Sequence, residues 1–249
     1  MGRLSTLSTR APKELEKKDI KDKTGKMLER LNELQNVLFA DSSQAILVIL
    51  QGLDASGKDG AIRNVFGHLN PQGVMVASFK VPTDEEKKHD FLWRVHRHAP
   101  LTGMIQIFNR SHYEDVLVTR VHGHCDDATA HRRFRAINDF ERLLTTHNNT
   151  HILKFYLHIS REEQQERLNE RLEDPTKHWK YSGKDFREAN RWDQYMNMYE
   201  DVFEHCSEIP WILVPADQNW YKEYVIANAL LEKLESLNLK YPDLDTSHQ

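Results

Sequence analysis

Apolar residues recur along this chain in two rhythms. Over roughly residues 13–40 the stretch ELEKKDIKDKTGKMLERLNELQNVLF sets Leu28, Leu31, Leu34 and Leu38 at helical spacing among charges. That pattern predicts an amphipathic helix with one face packed on the rest of the domain. The rhythm then changes. AILVILQ, after Asp41 and two serines, is a short β-branched run bounded by turn residues, as a strand buried on both faces requires. Similar runs return at VMVASF, MIQIFN, HILKFYLHI and PWILVP, separated by segments of helical periodicity.

Strand and helix therefore alternate, which predicts an α/β fold: a five-stranded parallel sheet with helices on both faces, since parallel neighbours need crossover connections. Two helix starts carry a capping-box signature, Thr83 with Glu86 and Ser160 with Glu163. After the fourth strand, residues 161–191 collect Arg161, Arg167, Arg171, Lys177, Lys180, Lys184, Arg187 and Arg191, with a break at Asp174-Pro175. This stretch reads as a basic lid. We expect a single domain over 1–249, with residues 1–44 as a helical extension, the lid inserted at 161–191, and a frayed polar tail YPDLDTSHQ.

Composition narrows the setting. With 249 residues and 39% hydrophobic content there is enough apolar material for a sizeable core. No run approaches the roughly 18–20 apolar residues that cross a bilayer, and the charged N-terminus has no secretory apolar region. A cytoplasmic protein with no membrane partner is expected. Cys125 and Cys206 stand far apart, without the dense spacing of a disulfide scaffold. The net charge of -4 argues against bulk nucleic-acid binding but leaves room for a local basic groove.

The sharpest motif is Gly52-Leu53-Asp54-Ala55-Ser56-Gly57-Lys58, a G-x-x-x-x-G-K match lying between a predicted strand and a predicted helix. Its glycines let successive N–H groups turn toward phosphate, the helix N-terminus adds partial positive charge, and Lys58 reaches the transferring phosphoryl group. Ala55, Ser56 and Gly57 supply the cradle. Asp59 stands where a magnesium-binding hydroxyl is usual, and it also reads as an ordinary first-turn carboxylate favoured by the helix dipole. Asp54 lies within the loop, where a carboxylate would repel phosphate unless a metal intervened, so it is assigned to magnesium or to orienting the attacking phosphate.

At the end of the third strand comes Ile107-Phe108-Asn109-Arg110-Ser111-His112-Tyr113-Glu114-Asp115, followed by Arg120. Asn109 offers a neutral oxygen to a metal; Arg110 and Arg120 are expected to clamp phosphates, the bland reading being that they pair with surface acids. Lys80 at the end of the second strand, and Arg94 and Arg97 on one face of HDFLWRVHRHAP, fall near the carboxyl edge where α/β sheets bind ligands. Phe79 has a choice between stacking on a base and core packing, with packing favoured. Trp179, Trp192 and Tyr195 are assigned to packing first and substrate contact second. His122-Gly123-His124-Cys125 lacks the second ligand pair of a zinc site.

Taken together, ILQGLDASGKDGAIR, FNRSHYEDVL, HWKYS and WDQYMNMYE resemble the family-2 polyphosphate kinases across nearly the whole chain. The resemblance implies a P-loop kinase fold like that of thymidylate kinase, with inorganic polyphosphate in place of ATP as donor and a requirement for magnesium, manganese being the alternative ion. Asn109 together with Glu114 resembles the group that accepts both AMP and ADP. The carry-over covers Asp54, Lys58, Asn109, Arg110, Glu114, Arg167 and Arg171. Arg167 and Arg171 are four apart, on one helical face, where both would meet successive phosphates, joined by Lys180 of the lid; the bland reading pairs them with Glu163 and Glu170. Phe79, Lys80, Arg94, Arg97 and Glu114 are assigned to the nucleotide. Inorganic polyphosphate and adenine nucleotides are the expected partners, and a homo-oligomer, dimer or tetramer, is expected. The competing readings are an ATP-dependent nucleoside monophosphate kinase and a non-catalytic phosphate binder.

Overall fold

The computed structural model describes residues 4–244; the last five residues of the expected frayed tail lie outside them. Helix α1 (Lys17–Asp41) begins four residues later than the periodicity suggested, and Ile20 is its first buried residue. Its buried face, which includes Met27, Leu31 and Leu38, runs along the last helix, α9 (Asn219–Ser236).

The five expected strands form: β1 (Ala45–Gln51), β2 (Val74–Ser78), β3 (Ile105–Asn109), β4 (Thr150–His158) and β5 (Trp211–Pro215). They pair in parallel in the order β2-β3-β1-β4-β5. Strand β1 is central and wholly buried, which explains its unbroken apolar run. Edge strand β2 leaves Met75 and Val76 half exposed. Because the order reverses direction around β1, the loops leaving β1 and β3 open a crevice at the carboxyl edge.

Helix α2 (Lys58–Val65) leaves that edge directly. The segment after β2 holds α3 (Trp93–His96), and the segment after β3 holds a 3-10 turn at His112–Val116, α4 (Val118–Val121) and α5 (Asp127–His147). The segment read as a lid folds as α6 (Arg161–Glu173), a 3-10 turn at Pro175–Lys180 and α7 (Gly183–Ala189), followed by α8 (Trp192–His205). The Thr83–Glu86 box forms with both bonds but opens only a 3-10 turn. At Ser160 half of the box forms: Ser160 Oγ accepts from Glu163 N, while Ser160 N donates to Asp217 Oδ1 and the Glu163 carboxylate turns to Arg167.

Cys125 and Cys206 are both buried and free. No helix among the described residues is long and apolar enough to cross a membrane.

Candidate active site

The loop between β1 and α2 is built by backbone conformations that few residues tolerate. Gly52 and Gly57 sit at φ 150° and 93°, and Ala55 joins them at 63°. A Cβ on Gly52 would press on the Ser56 hydroxyl and on the Leu157 carbonyl, so glycine is required there by space as well. Ser56 Oγ is buried with no hydrogen-bond partner among the described residues. A buried hydroxyl without a partner is costly, and inside a phosphate loop an anionic oxygen is the natural acceptor.

Lys58 is 8% exposed and folds back on its own loop, donating to Gly52 O at 2.7 Å and Leu53 O at 3.0 Å. Burial, with the positive charge of Arg110, pulls its pKa down to about 8, against the pull of Asp54, Glu114 and Asp59.

Strand β3 delivers the second half of the site. Its last residue, Asn109, donates to Asp59 Oδ1 at 2.8 Å, tying the two strand ends together. Arg110 adopts a left-handed backbone at φ 62° and bonds Asp54 Oδ1 at 2.6 Å. Such a conformation is held only where the surroundings impose it, and it commonly marks a working site. Burial disfavours the Arg110 charge, but Glu114 and Asp54 more than compensate, so its pKa is raised. Glu114 is pushed up by burial, opposed by Arg110 and Lys58. The Gln51 amide, oriented to satisfy both its ends, donates to Glu114 Oε1 at 3.0 Å and accepts from Ser111 N at 3.2 Å.

The turn carrying Glu114 is anchored from below. Lys154 in mid-β4 is wholly buried and donates to Glu141 Oε2 at 2.8 Å, to Tyr113 OH at 3.0 Å and to Cys206 O at 2.9 Å. Tyr113 OH in turn donates to Glu141 Oε1 at 2.7 Å. Burial opposes the Glu141 charge, but His112 and Lys154 hold its pKa below the ordinary value.

A cavity of about 620 Å³ opens against this edge, with Asp54, Arg110 and Glu114 at its phosphate end. Phe79, Val81, Leu117 and Trp192 provide its apolar wall, and Lys184, Arg187 and Glu188 reach it from α7. Tyr195 OH donates to Glu188 Oε2 at 2.6 Å, and His122 lies 3.0 Å from the same carboxylate, so α7 is tied to α8 and to the end of α4 around the cavity mouth.

The structure does not bring every residue assigned from the sequence to the loop or the cavity. Arg120 does not face the loop: its buried guanidinium is taken by Asp127 at 2.7 Å and Asp201 at 2.9 Å, the bland alternative. Arg94 and Arg97 do not share a face in this four-residue helix. Arg94 is buried, bonding Lys80 O and Asp115, and lines the cavity, whereas Arg97 is exposed over the Trp93 ring. Arg167 reaches Ala55 O at 3.1 Å, but Arg171 pairs with Asp185 and braces α6 to α7 rather than reaching the loop.

Lys180 lies over the Trp179 ring away from the cavity, and Trp179 is 78% exposed rather than packed. Phe79 is buried edge-on against Phe108 and also lines the cavity; exposed Lys80 lines it too, and Trp192 and Tyr195 both pack on the core and face it. Sequence reasoning missed Gln164, whose amide donates to Asp54 O at 2.9 Å, and Lys222, buried beside Gly57. The one available signal for Lys222 was its place in the first turns of the helix that follows the last parallel strand, on the ligand-binding edge.

Among the described residues no group of three or more His, Cys, Asp or Glu gathers as a metal cage. Magnesium rarely needs one, being held through one or two carboxylates with substrate phosphates and water. Asp54 suits that role: one oxygen is engaged by Arg110, the other is left for a cation, and the carboxylate lies within the phosphate loop.

The family model described as Polyphosphate kinase 2 (PPK2) matches residues 14–242. The chain belongs to the polyphosphate kinase 2 family. Among its relatives, an AMP/ADP-polyphosphate phosphotransferase of Meiothermus ruber is 46% identical over 222 residues, covering 88% of this chain and 83% of the relative. An ADP-polyphosphate phosphotransferase of Rhodopseudomonas palustris is 42% identical over 230 residues, covering 87% of this chain and 79% of the relative. The crystal structure of a polyphosphate kinase 2 from Arthrobacter aurescens superimposes with a TM-score of 0.94 at 45% identity, over 97% of this chain and 88% of that one. The five-stranded parallel sheet expected from the strand pattern and the P-loop kinase fold implied by the resemblance are therefore those of the family.

Proposed function

We propose that this chain transfers the terminal phosphoryl group of inorganic polyphosphate to AMP and to ADP. The observation that carries the reading is the junction of Asp54, Arg110 and Glu114, which lie at once beside the phosphate loop and at the charged end of a cavity with an apolar wall. A nucleotide monophosphate or diphosphate suits such a cavity: the wall takes the nucleoside and the charged end takes its phosphates.

A terminal phosphate oxygen of the acceptor attacks the last phosphorus of the chain. The bond from that phosphorus to the bridging oxygen breaks, and a polyphosphate one unit shorter leaves. No protein nucleophile is needed. Lys58 and Arg110 stabilise charge on the equatorial oxygens, and Ser56 with the loop amides holds the donor. Magnesium, held by Asp54 with Asn109 at hand, would supply charge neutralisation on the phosphates. Since one phosphoanhydride replaces another, the reaction runs in either direction according to concentrations. The lid residues Lys184 and Arg187 close the cavity against water, limiting hydrolysis of the donor. A cytoplasmic setting and a homo-oligomer belong to the same proposal.

The test is donor profiling of purified protein with AMP, magnesium and polyphosphate in the absence of nucleoside triphosphate. ADP and then ATP should form, and Asp54→Asn should abolish both. Product formation only when ATP is supplied as donor would replace this reading with that of a nucleoside monophosphate kinase.

A further inference from the structure

Among the described residues, Lys222 is a buried cation at the loop that the reaction as described leaves unused. It is 1% exposed, in the first turns of α9, and a Cβ built on Gly57 would run into its Nζ and stand 3.4 Å from Arg167 Nη1. Arg167 is itself fixed there by Ala55 O at 3.1 Å, Ala216 O at 2.8 Å and Asp217 O at 3.0 Å. Lys222 donates to a neutral acceptor, Asn219 Oδ1, at 2.7 Å, and no carboxylate lies within ion-pair distance of it among the described residues. Glu163 is committed to Arg167 and Glu223 to Asn64. Burial and the nearby charges of Arg167 and Lys58 depress its pKa to about 8, with Glu223 and Glu163 acting only at longer range.

A buried ammonium set against two other cations, with a neutral partner, is an unfavourable arrangement unless something anionic shares the space. The cavity that suits the acceptor does not reach it: its lining includes Gly52, Leu53 and Asp54 but neither Gly57 nor Lys222. The loop thus has two flanks, an acceptor flank at Asp54 and Arg110 and a second, cationic flank at Gly57.

We infer that Lys222, with Arg167, forms a second phosphate subsite that holds the donor chain behind the phosphoryl group being transferred. The ligand class is a linear inorganic polyphosphate, and the inference rests on the donor reading given above. Asn219 orients the ammonium, and Gly57, a glycine required by its φ of 93°, lets that ammonium stand close against the loop.

The test uses initial rates with tripolyphosphate as donor. In Lys222→Met the donor KM should rise tenfold or more while the AMP KM stays within twofold. Lys222→Arg should restore the donor KM to within about threefold of wild type. Asn219→Asp gives the ammonium a carboxylate partner without disturbing the core, and should raise the donor KM in the same selective way. If Lys222→Met proves unfolded by circular dichroism, Asn219→Asp decides the question. A donor KM within twofold of wild type in the folded variants, or equal losses toward donor and AMP, would overturn the inference. A wild-type enzyme that ignores tripolyphosphate and uses ATP would instead overturn the donor reading, and this inference with it.

Discussion

Replacing Lys58 with methionine separates function from stability at the centre of the site. The ordinary lysine pKa of 10.5 falls to about 8 here, chiefly through burial; that difference corresponds to about 3 kcal/mol spent at neutral pH to keep the ammonium charged. Losing the hydrogen bonds to Gly52 O and Leu53 O returns about 1–2 kcal/mol of that.

Lys58→Met should therefore be more stable than wild type by about 1 kcal/mol or more at pH 7, or ~2–4 °C in Tm for a chain of this size. Turnover should drop by roughly 10²- to 10³-fold as one preorganised donor to the transition state is lost. The pH dependence follows from the sign of the shift. Between about 8 and 10.5 the unfolded chain binds more protons at this lysine than the folded one, so wild-type stability gains on the variant as pH rises through that window, and the gap closes near the upper end. Differential scanning calorimetry from pH 7 to 10.5 reads both quantities. A variant that melts several degrees lower at pH 7 would refute the reasoning, because Lys58 would then be a structural prop.

The donor kcat/KM of wild type should decline as pH climbs past about 8, where Lys58 and Lys222 both lose their protons in the free enzyme, and kcat should fall only at higher pH because bound polyphosphate favours the charged lysines; a flat donor profile from pH 7 to 9.5 would contradict this. Glu114→Gln removes a carboxylate facing both Lys58 and Arg110, so the kcat/KM values for AMP and ADP should change unequally, and equal changes in paired initial-rate assays would discard Glu114 as the residue that sets acceptor preference. Lys154→Met removes the ammonium paired with buried Glu141 and leaves only His112 and the Tyr113 hydroxyl against its charge, which should cost about 3–5 kcal/mol in urea unfolding. Adding Glu141→Leu should recover much of that loss, and failure to recover any would show that the pair is not what anchors the Tyr113 turn.

What the chain announced locally, it announced well. Strand β1 had to be buried on both faces because every residue from Ala45 to Leu50 is apolar, and the glycine loop was marked by its place between that strand and a helix. The Asn109–Glu114 segment was legible because it ends a strand adjacent to β1 in the sheet.

Charges were harder to read, since a sequence does not say which opposite charge will meet them. Arg120 and Arg171 matched phosphate clamps as well as did Arg110, yet Asp201 and Asp185, distant in sequence, claimed them. Arg94 and Arg97 parted because α3 is only one turn long, so three-residue spacing did not confer a shared face. Lys222 escaped notice because its neighbourhood is made by two crossovers, from β3 past β1 to β4 and from β4 to β5, which bring α9 back beside α2.

A crystal of the protein grown with AMP, magnesium and a slowly turned-over polyphosphate addresses the central claim most directly. The purine should lie in the cavity between Phe79 and Trp192, and a phosphate chain free of any nucleoside should pass over the amides of Ala55–Lys58 toward Arg167. A purine attached to the chain that occupies this loop as phosphoryl source would contradict the account.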